Sequence, residues 1–198
     1  MARTITVAER NAGTRVVYSA AVSLDGFIAD VHGGVEWLHD AMVPGEGYGL
    51  REFMASIDAV LMGSRTYEKS LELGGPGYGP KVPCWVFSGR DLPSAGGMIV
   101  TRETPSAVVS QLRERGVRRA WLMGGGKLAS SFLAAGLIDE VSLGVMPVVL
   151  GDGLPLFADG IGPTRLNLVE SKTYKGGALG LTYKTVTVPV SRSRRAKR

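Results

Sequence analysis

The sequence predicts an α/β protein built on a mixed, mostly parallel sheet with helices on both faces and an antiparallel strand pair at its C-terminal end. Three observations predict it. Apolar, β-branched runs alternate with segments of helical period through the middle of the chain. Several of these runs, such as "AVLM" and "AWLM", are apolar at consecutive positions, as strands covered on both faces are. Strand-like segments gather at both ends without an intervening helix.

The elements follow in order. "TRVVYSAAVSL" reads as a strand, and "DGFIAD" begins with an Asp-Gly turn or bulge. "GYGLREFMAS" carries Leu50, Phe53 and Met54 at helical spacing, and "IDAVLMG" is a buried strand. "SRTYEKSLEL" is a short helix with Ser64 as its N-cap, and "GGPGYGPK" is a loop. "VPCWVFS" and "GMIVT" are strands. "PSAVVSQLRERG" is a helix opened by Pro105 and closed by Gly116. "RAWLM" is the next strand, "GKLASSFLAAG" a helix ending at Gly136, and "EVSLGVMPVVL" a long strand. A Gly/Pro loop, "GDGLPLFADGIGP", leads to "TRLNLVESKTY" and "GALGLTYKTVTV", the closing antiparallel pair. With no repeat and no linker, one domain is expected over residues 14–188, between flexible termini 1–13 and 189–198.

Composition bounds the function. The chain has 198 residues, of which 44% are hydrophobic and 21% charged, as expected of a soluble globular protein. Cys84 stands alone and cannot form an internal disulfide, which suits a reducing compartment. The N-terminal stretch has no signal-peptide core, and no run approaches the roughly 18 apolar residues that span a bilayer. A cytoplasmic protein with no membrane contact is expected. The formal charge of +5 is carried by the tail "SRSRRAKR" (191–198), with Arg192, Arg194, Arg195, Lys197 and Arg198 and no acid. No recognition helix or zinc spacing supports nucleic-acid binding beyond that tail. His32 and His39, in a loop-like segment without nearby cysteines, make no metal site.

Gly124, Gly125 and Gly126 stand where the strand "AWLM" meets the helix "GKLASSFL". Glycines at a strand-to-helix turn let an anion approach the backbone while the helix N-terminus favours negative charge; a tight turn without a ligand is the alternative. The G-x-G-x-x-G of Rossmann folds is absent. Two further strand ends repeat the pattern: "AVLMGSRTYE" places Gly63 before Ser64, Arg65 and Thr66, and "WVFSGRDLP" ends in Ser88, Gly89 and Arg90. Three such ends along one sheet edge suit a ligand with several phosphates, as a dinucleotide has.

The segments "VLMGSRTYE", "VFSGR" and "LMGGGKLASSFL" resemble the cofactor segments of dihydrofolate reductases, in the same order. "AAVSLDGFIAD" and "MPVVLGDGLPLF" are more similar to the reductase domain of the bifunctional riboflavin-biosynthesis deaminase-reductases and their stand-alone relatives. The likeness runs from about Val16 to Tyr183. It implies a dihydrofolate-reductase-like fold and NADPH as hydride donor. By that resemblance Gly63, Arg65 and Thr66 meet cofactor phosphates, and Ser88 and Arg90 meet the adenosine ribose with its 2′-phosphate. Gly124, Gly125, Gly126, Lys127 and Leu128 wrap the pyrophosphate, and Ala21 and Ile28 flank the nicotinamide.

The substrate side departs from both enzymes. Where dihydrofolate reductases carry a helical carboxylate this chain has Gly47, with Glu46 adjacent and Glu52 further along. Where the riboflavin reductases have a lysine and an acid it has Ser19 and Met123. Asp25 matches the "SLDG" aspartate and is the candidate catalytic residue; no zinc signature of a deaminase accompanies it. Trp37 and Cys84 read as packing residues, and nothing selects Tyr48 or Tyr67 as a proton donor. The expected function is an NADPH-dependent reductase of a small heterocyclic or carbonyl substrate. The alternative is a non-catalytic NADPH-binding or regulatory protein that keeps the pocket. The apolar stretch "VSLGVMPVVLGDGLPLF" predicts a homodimer.

Overall fold

A computed structural model of the chain describes residues 13–75, 82–92 and 97–186. In chain order the elements are β1 (Arg15–Ser23), β2 (Phe27–Ala29), α1 (Glu36–Ala41), α2 (Leu50–Ala55), β3 (Ala59–Gly63), α3 (Ser64–Glu72), β4 (Cys84–Phe87) and β5 (Met98–Thr101). Then come α4 (Pro105–Glu114), β6 (Arg119–Gly124), α5 (Gly126–Ala134), β7 (Glu140–Met146), β8 (Leu154–Pro155), β9 (Leu166–Thr173) and β10 (Leu179–Thr185).

Eight strands form one sheet in the order β5-β4-β3-β6-β1-β7-β10-β9. Every pairing from β5 to β7 is parallel, while β7–β10 and β10–β9 are antiparallel. The predicted mixed, mostly parallel sheet and its closing antiparallel pair are therefore present. The reason is visible in β3, whose Ala59, Val60, Leu61 and Met62 are all fully buried. Ala59 and Leu61 point into one core with Trp85 and Leu122, and Val60 and Met62 into a second with Cys84 and Val86. A period of two fills both cores from one apolar run.

Helices seal each core. Val108, Val109 and Leu112 of α4 and Ala129 and Phe132 of α5 belong to the first core; Tyr67 of α3 and Phe53 of α2 pack on the second. Helix α4 starts as the sequence predicts, with Pro105 in its first turn. Its N-cap Thr104 accepts a hydrogen bond from the Ala107 N–H at 3.3 Å.

Several expectations are corrected. Gly63, not Ser64, is the N-cap of α3, and Ser64 is the first helical residue. The long strand predicted over 140–150 ends at Met146. His39 lies in α1 rather than in a loop, and within "GDGLPLFADGIGP" Leu154–Pro155 pairs with β2. Most of the loop at 74–81 and the basic tail at 191–198 lie outside the described residues. Among the described residues, no helix is long and apolar enough to cross a membrane, and no group of three or more His, Cys, Asp or Glu is placed to hold a metal ion.

Candidate cofactor and substrate site

The strands β4, β3, β6 and β1 are parallel neighbours, so their C-terminal ends emerge at one edge. From β3 the chain crosses to β4 through α3 on one face; from β6 it crosses to β7 through α5 on the other. Connections that part in this way open a crevice between the two strand ends, the topological switch point where open α/β sheets bind ligands. Two helices begin at that crevice, α3 at Gly63 and α5 at Gly125, and no side chain caps either. Their first-turn N–H groups lack intrahelical partners and carry the positive ends of two helix dipoles. The two turns touch: a Cβ on Gly63 would lie 3.9 Å from the Gly124 carbonyl oxygen and 4.0 Å from the Gly125 nitrogen.

The three consecutive glycines serve three purposes. Gly124 has φ = 134°, a conformation that side chains disfavour, and its peptide bond to Gly125 is cis. Strand β6 also bulges here: Leu122 pairs with Leu61 and Gly124 with Met62, leaving Met123 out of register. Gly125 has an ordinary φ of −87°. A Cβ there would enter the crevice, 3.6 Å from Thr66 Oγ1 and 4.0 Å from Ile28 Cδ1. Gly126 is required by packing, because its Cβ would collide with the carbonyl oxygen of Pro155. Packing alone thus accounts for glycine at 126, while at 125 a side chain would enter the crevice.

Of the other candidates, the structure brings Thr66 and Ile28 to the Gly125 turn. Thr66 and Ile28 face each other across the Gly125 position. Ala21, half-buried on β1, pairs with Gly144 of β7. Lys127 is exposed on the first turn of α5, and Leu128 packs against the first core. Arg65 is exposed on the first turn of α3 and makes no ion pair among the described residues. At the end of β4, the Ser88 hydroxyl donates to the Arg90 carbonyl at 2.7 Å and accepts from the Arg90 N–H at 3.1 Å. The Arg90 guanidinium donates to both carboxylate oxygens of Glu68, at 2.7 and 2.6 Å. Glu68 escaped the sequence reading; its only signal was its place three residues after Arg65 on a helix.

Asp25, the candidate catalytic residue, lies in a set of hydrogen bonds at the turn after β1. Its carboxylate accepts from the Ser23 hydroxyl at 2.6 Å and from the Leu150 and Gly151 N–H groups at 3.1 and 2.7 Å. The Ser23 hydrogen bond and these amides hold its carboxyl below the usual aspartate range. These hydrogen bonds tie the loop after β7 to the turn after β1.

On the α2 face of the sheet lies an open hollow of about 650 Å³ lined by Met42, Gly47, Leu50, Met54 and Trp121, with Glu46 and Arg51 also contributing. Phe53 meets Trp121 edge-on at 5.3 Å, and the Trp121 Nε1–H donates to the Ser19 carbonyl at 3.0 Å. Trp121 and Met42 carry no signal of a site in the sequence, and Met54 reads there only as part of a helix's apolar face. Tyr48, at φ = 48°, shapes the bordering loop: its hydroxyl accepts from the Val43 N–H, and the Tyr174 hydroxyl donates to its carbonyl. Tyr67 is buried in the second core.

Sheet order, helix placement and strand-end crevice define a dihydrofolate-reductase-like α/β protein. The RibD C-terminal domain model matches residues 84–179. The uncharacterized protein YwjB of Bacillus subtilis (strain 168) is 35% identical over 172 residues, which cover 85% of this chain and 97% of that protein. A protein of Shewanella sp. PV-4 whose name places it in riboflavin biosynthesis superposes with a TM-score of 0.79 at 25% identity, covering 88% of this chain and all of that one (100%). Dihydrofolate reductase from Enterococcus faecalis, complexed with NADP(H), shares the fold with a TM-score of 0.59 at 14% identity, over 86% of this chain and 96% of that one. The chain belongs to one family with YwjB, and its residues 84–179 match the RibD C-terminal domain; the likeness to dihydrofolate reductase is one of fold.

Proposed function

We propose that this chain is an NADPH-dependent reductase that transfers a hydride to a small heterocyclic or carbonyl substrate. One observation carries the reading: two uncapped helix N-termini meet back to back at the switch point, with room at Gly125 for a group to touch the backbone. That cradle fits a diphosphate, with donors on both sides and no acidic side chain in either first turn. When bound, the dinucleotide supplies the hydride. The chain does the rest. Gly63, Thr66, Gly124 and Gly125 hold the diphosphate, while Arg65 and Lys127 add positive charge at the rim. Ala21 and Ile28 form the apolar seat of the nicotinamide ring. The Met42–Trp121 hollow offers an apolar surface for a flat substrate.

Gly47, which brings no side chain to the cavity, favours one second reading: a protein that binds NADPH without turnover. Screening NADPH oxidation against pterins, flavin precursors and small carbonyls separates the two. Oxidation with any of them supports the reductase; tight binding with no turnover across all three supports the second reading. NADPH is expected to bind about tenfold more tightly than NADH, through charge-assisted bonds from Arg65, Ser88 and Arg90 to the 2′-phosphate. Fluorescence titration of both cofactors checks this, and equal affinities would refute it.

A homodimer is also proposed, with its surface moved. Leu156 and Phe157 of the segment expected to pair copies are spent on the chain's own core. Every residue of β9 is exposed, including Leu168 at 53% and Val169 at 49%, and an uncovered apolar edge strand invites a second chain. Light scattering at tens of micromolar is expected to give twice the mass of 20.9 kDa, and a monomer there counts against the proposal.

A further inference from the structure

The end of β4 is crowded with arginines, and carboxylates already hold two of them. Arg102 donates to Asp91 at 2.8 Å. The Nη2 group of Arg90 donates to both oxygens of Glu68, which reaches over from α3. The Ser88 hydroxyl bonds to both the N–H and the carbonyl of Arg90, so Glu68 fixes the head of a residue whose backbone is already fixed. Arg65 stands three residues before Glu68, so the two are neighbours on one face of α3. A carboxylate thus holds one of the two cations that would read a ribose 2′-phosphate and shares a helix with the other.

We infer that Glu68 is a specificity-determining residue: it occupies Arg90 until a phosphate monoester on the cofactor ribose displaces it, and so sets the size of the preference for NADPH over NADH. The inference rests on the dinucleotide reading above. Its physics is a competition between two anions for one guanidinium. A 2′-phosphate is a stronger acceptor than a carboxylate and binds an arginine fork well. It must nevertheless break the Arg90–Glu68 pair and then lie beside the displaced negative charge. NADH has a hydroxyl at that position, makes no such demand, and is indifferent to Glu68. The pair is largely exposed, with side chains 60% and 40% accessible, so a phosphate can reach it and the cost of breaking it is modest.

Glu68→Gln keeps the shape and removes the charge. By titration of the purified protein, its affinity for NADPH is expected to rise about threefold to fivefold, the range an exposed ion pair supports. Its affinity for NADH is expected to stay within about twofold of the parent, well inside that range. Adenosine 2′,5′-bisphosphate and 5′-AMP repeat the comparison without a nicotinamide, and only the bisphosphate is expected to gain. In an Arg90→Gln background the gain from Glu68→Gln is expected to shrink, because only the repulsion between carboxylate and phosphate is left to relieve. Weaker NADPH binding by Glu68→Gln would overturn the inference, because Glu68 would then be orienting Arg90 for the phosphate. Equal changes for NADPH and NADH would overturn it as well, leaving Glu68 a purely structural part of α3. Wild-type protein that binds neither dinucleotide would overturn the cofactor reading and this inference with it. Wild-type binding with a selectivity unmoved by Glu68→Gln would overturn this inference alone.

Discussion

Gly125→Val is expected to weaken NADPH binding at least about tenfold, equivalent to about 1.4 kcal/mol, while leaving the protein folded. The conformation of Gly125, with φ at −87° and an extended ψ, is one that valine adopts freely. Its Cβ would meet Thr66 Oγ1 at 3.6 Å and Ile28 Cδ1 at 4.0 Å, both ordinary contacts. The two methyl groups beyond it would fill the space between the α3 and α5 turns that the diphosphate needs. Helix α5 is held by Ala129 and Phe132 in the first core, out of reach of this change. Circular dichroism is expected to match the parent while the NADPH fluorescence titration shifts. A folded mutant that binds NADPH like the parent would mean that Gly125 serves only the turn, and the cofactor reading would lose its central support.

The contrast between Gly125 and its neighbours shows what a sequence makes legible and what it hides. The strands were readable because β3, β4 and β6 are sandwiched between helices, and a short, continuous apolar run bounded by glycine suits a doubly covered strand. Helix α4 was readable from Pro105 and Gly116, local signals at its two ends. Helix α1 was not, since it has six residues, buries none of them fully and has no side-chain cap. Strand β8 is two residues long and exists only because β2 lies beside it. At the site, the strand-end glycines and arginines were visible as residue types. Their partners were not, because those partners are set by the fold. Glu68 is 22 positions from Arg90, and the amides that occupy Asp25 are 125 and 126 positions away. Charge alone presents Arg90 as free and Asp25 as available; the tertiary structure commits both.

Gly126→Ala is expected to destabilise the protein by about 2 kcal/mol through overpacking, the smallest possible side chain notwithstanding. The atom in the way is a backbone carbonyl, that of Pro155, with the Leu156 carbonyl oxygen next at 3.3 Å. Neither can turn aside as a flexible side chain would. Pro155 is paired to Phe27 in the β2–β8 ribbon, and the Leu156 N–H donates to the Gly26 carbonyl at 2.9 Å. The Leu156 carbonyl accepts from the buried Tyr18 hydroxyl at 2.7 Å, and Ser130 and Ala158 exchange hydrogen bonds just beyond. A methyl group on Gly126 must therefore push against a segment anchored at several points, or tilt the first turn of α5 away from it. For a domain of this size the loss corresponds to a fall in melting temperature of about 4–8 °C. The measurement is a thermal melt without cofactor, since the clash exists whether or not a ligand is bound. Gly125→Val is expected to melt near the parent temperature under the same conditions. The two adjacent glycines would then separate cleanly, one reporting on binding and the other on folding. A Gly126→Ala protein as stable as the parent would show that the 154–158 segment yields freely, and the packing account of Gly126 would fail.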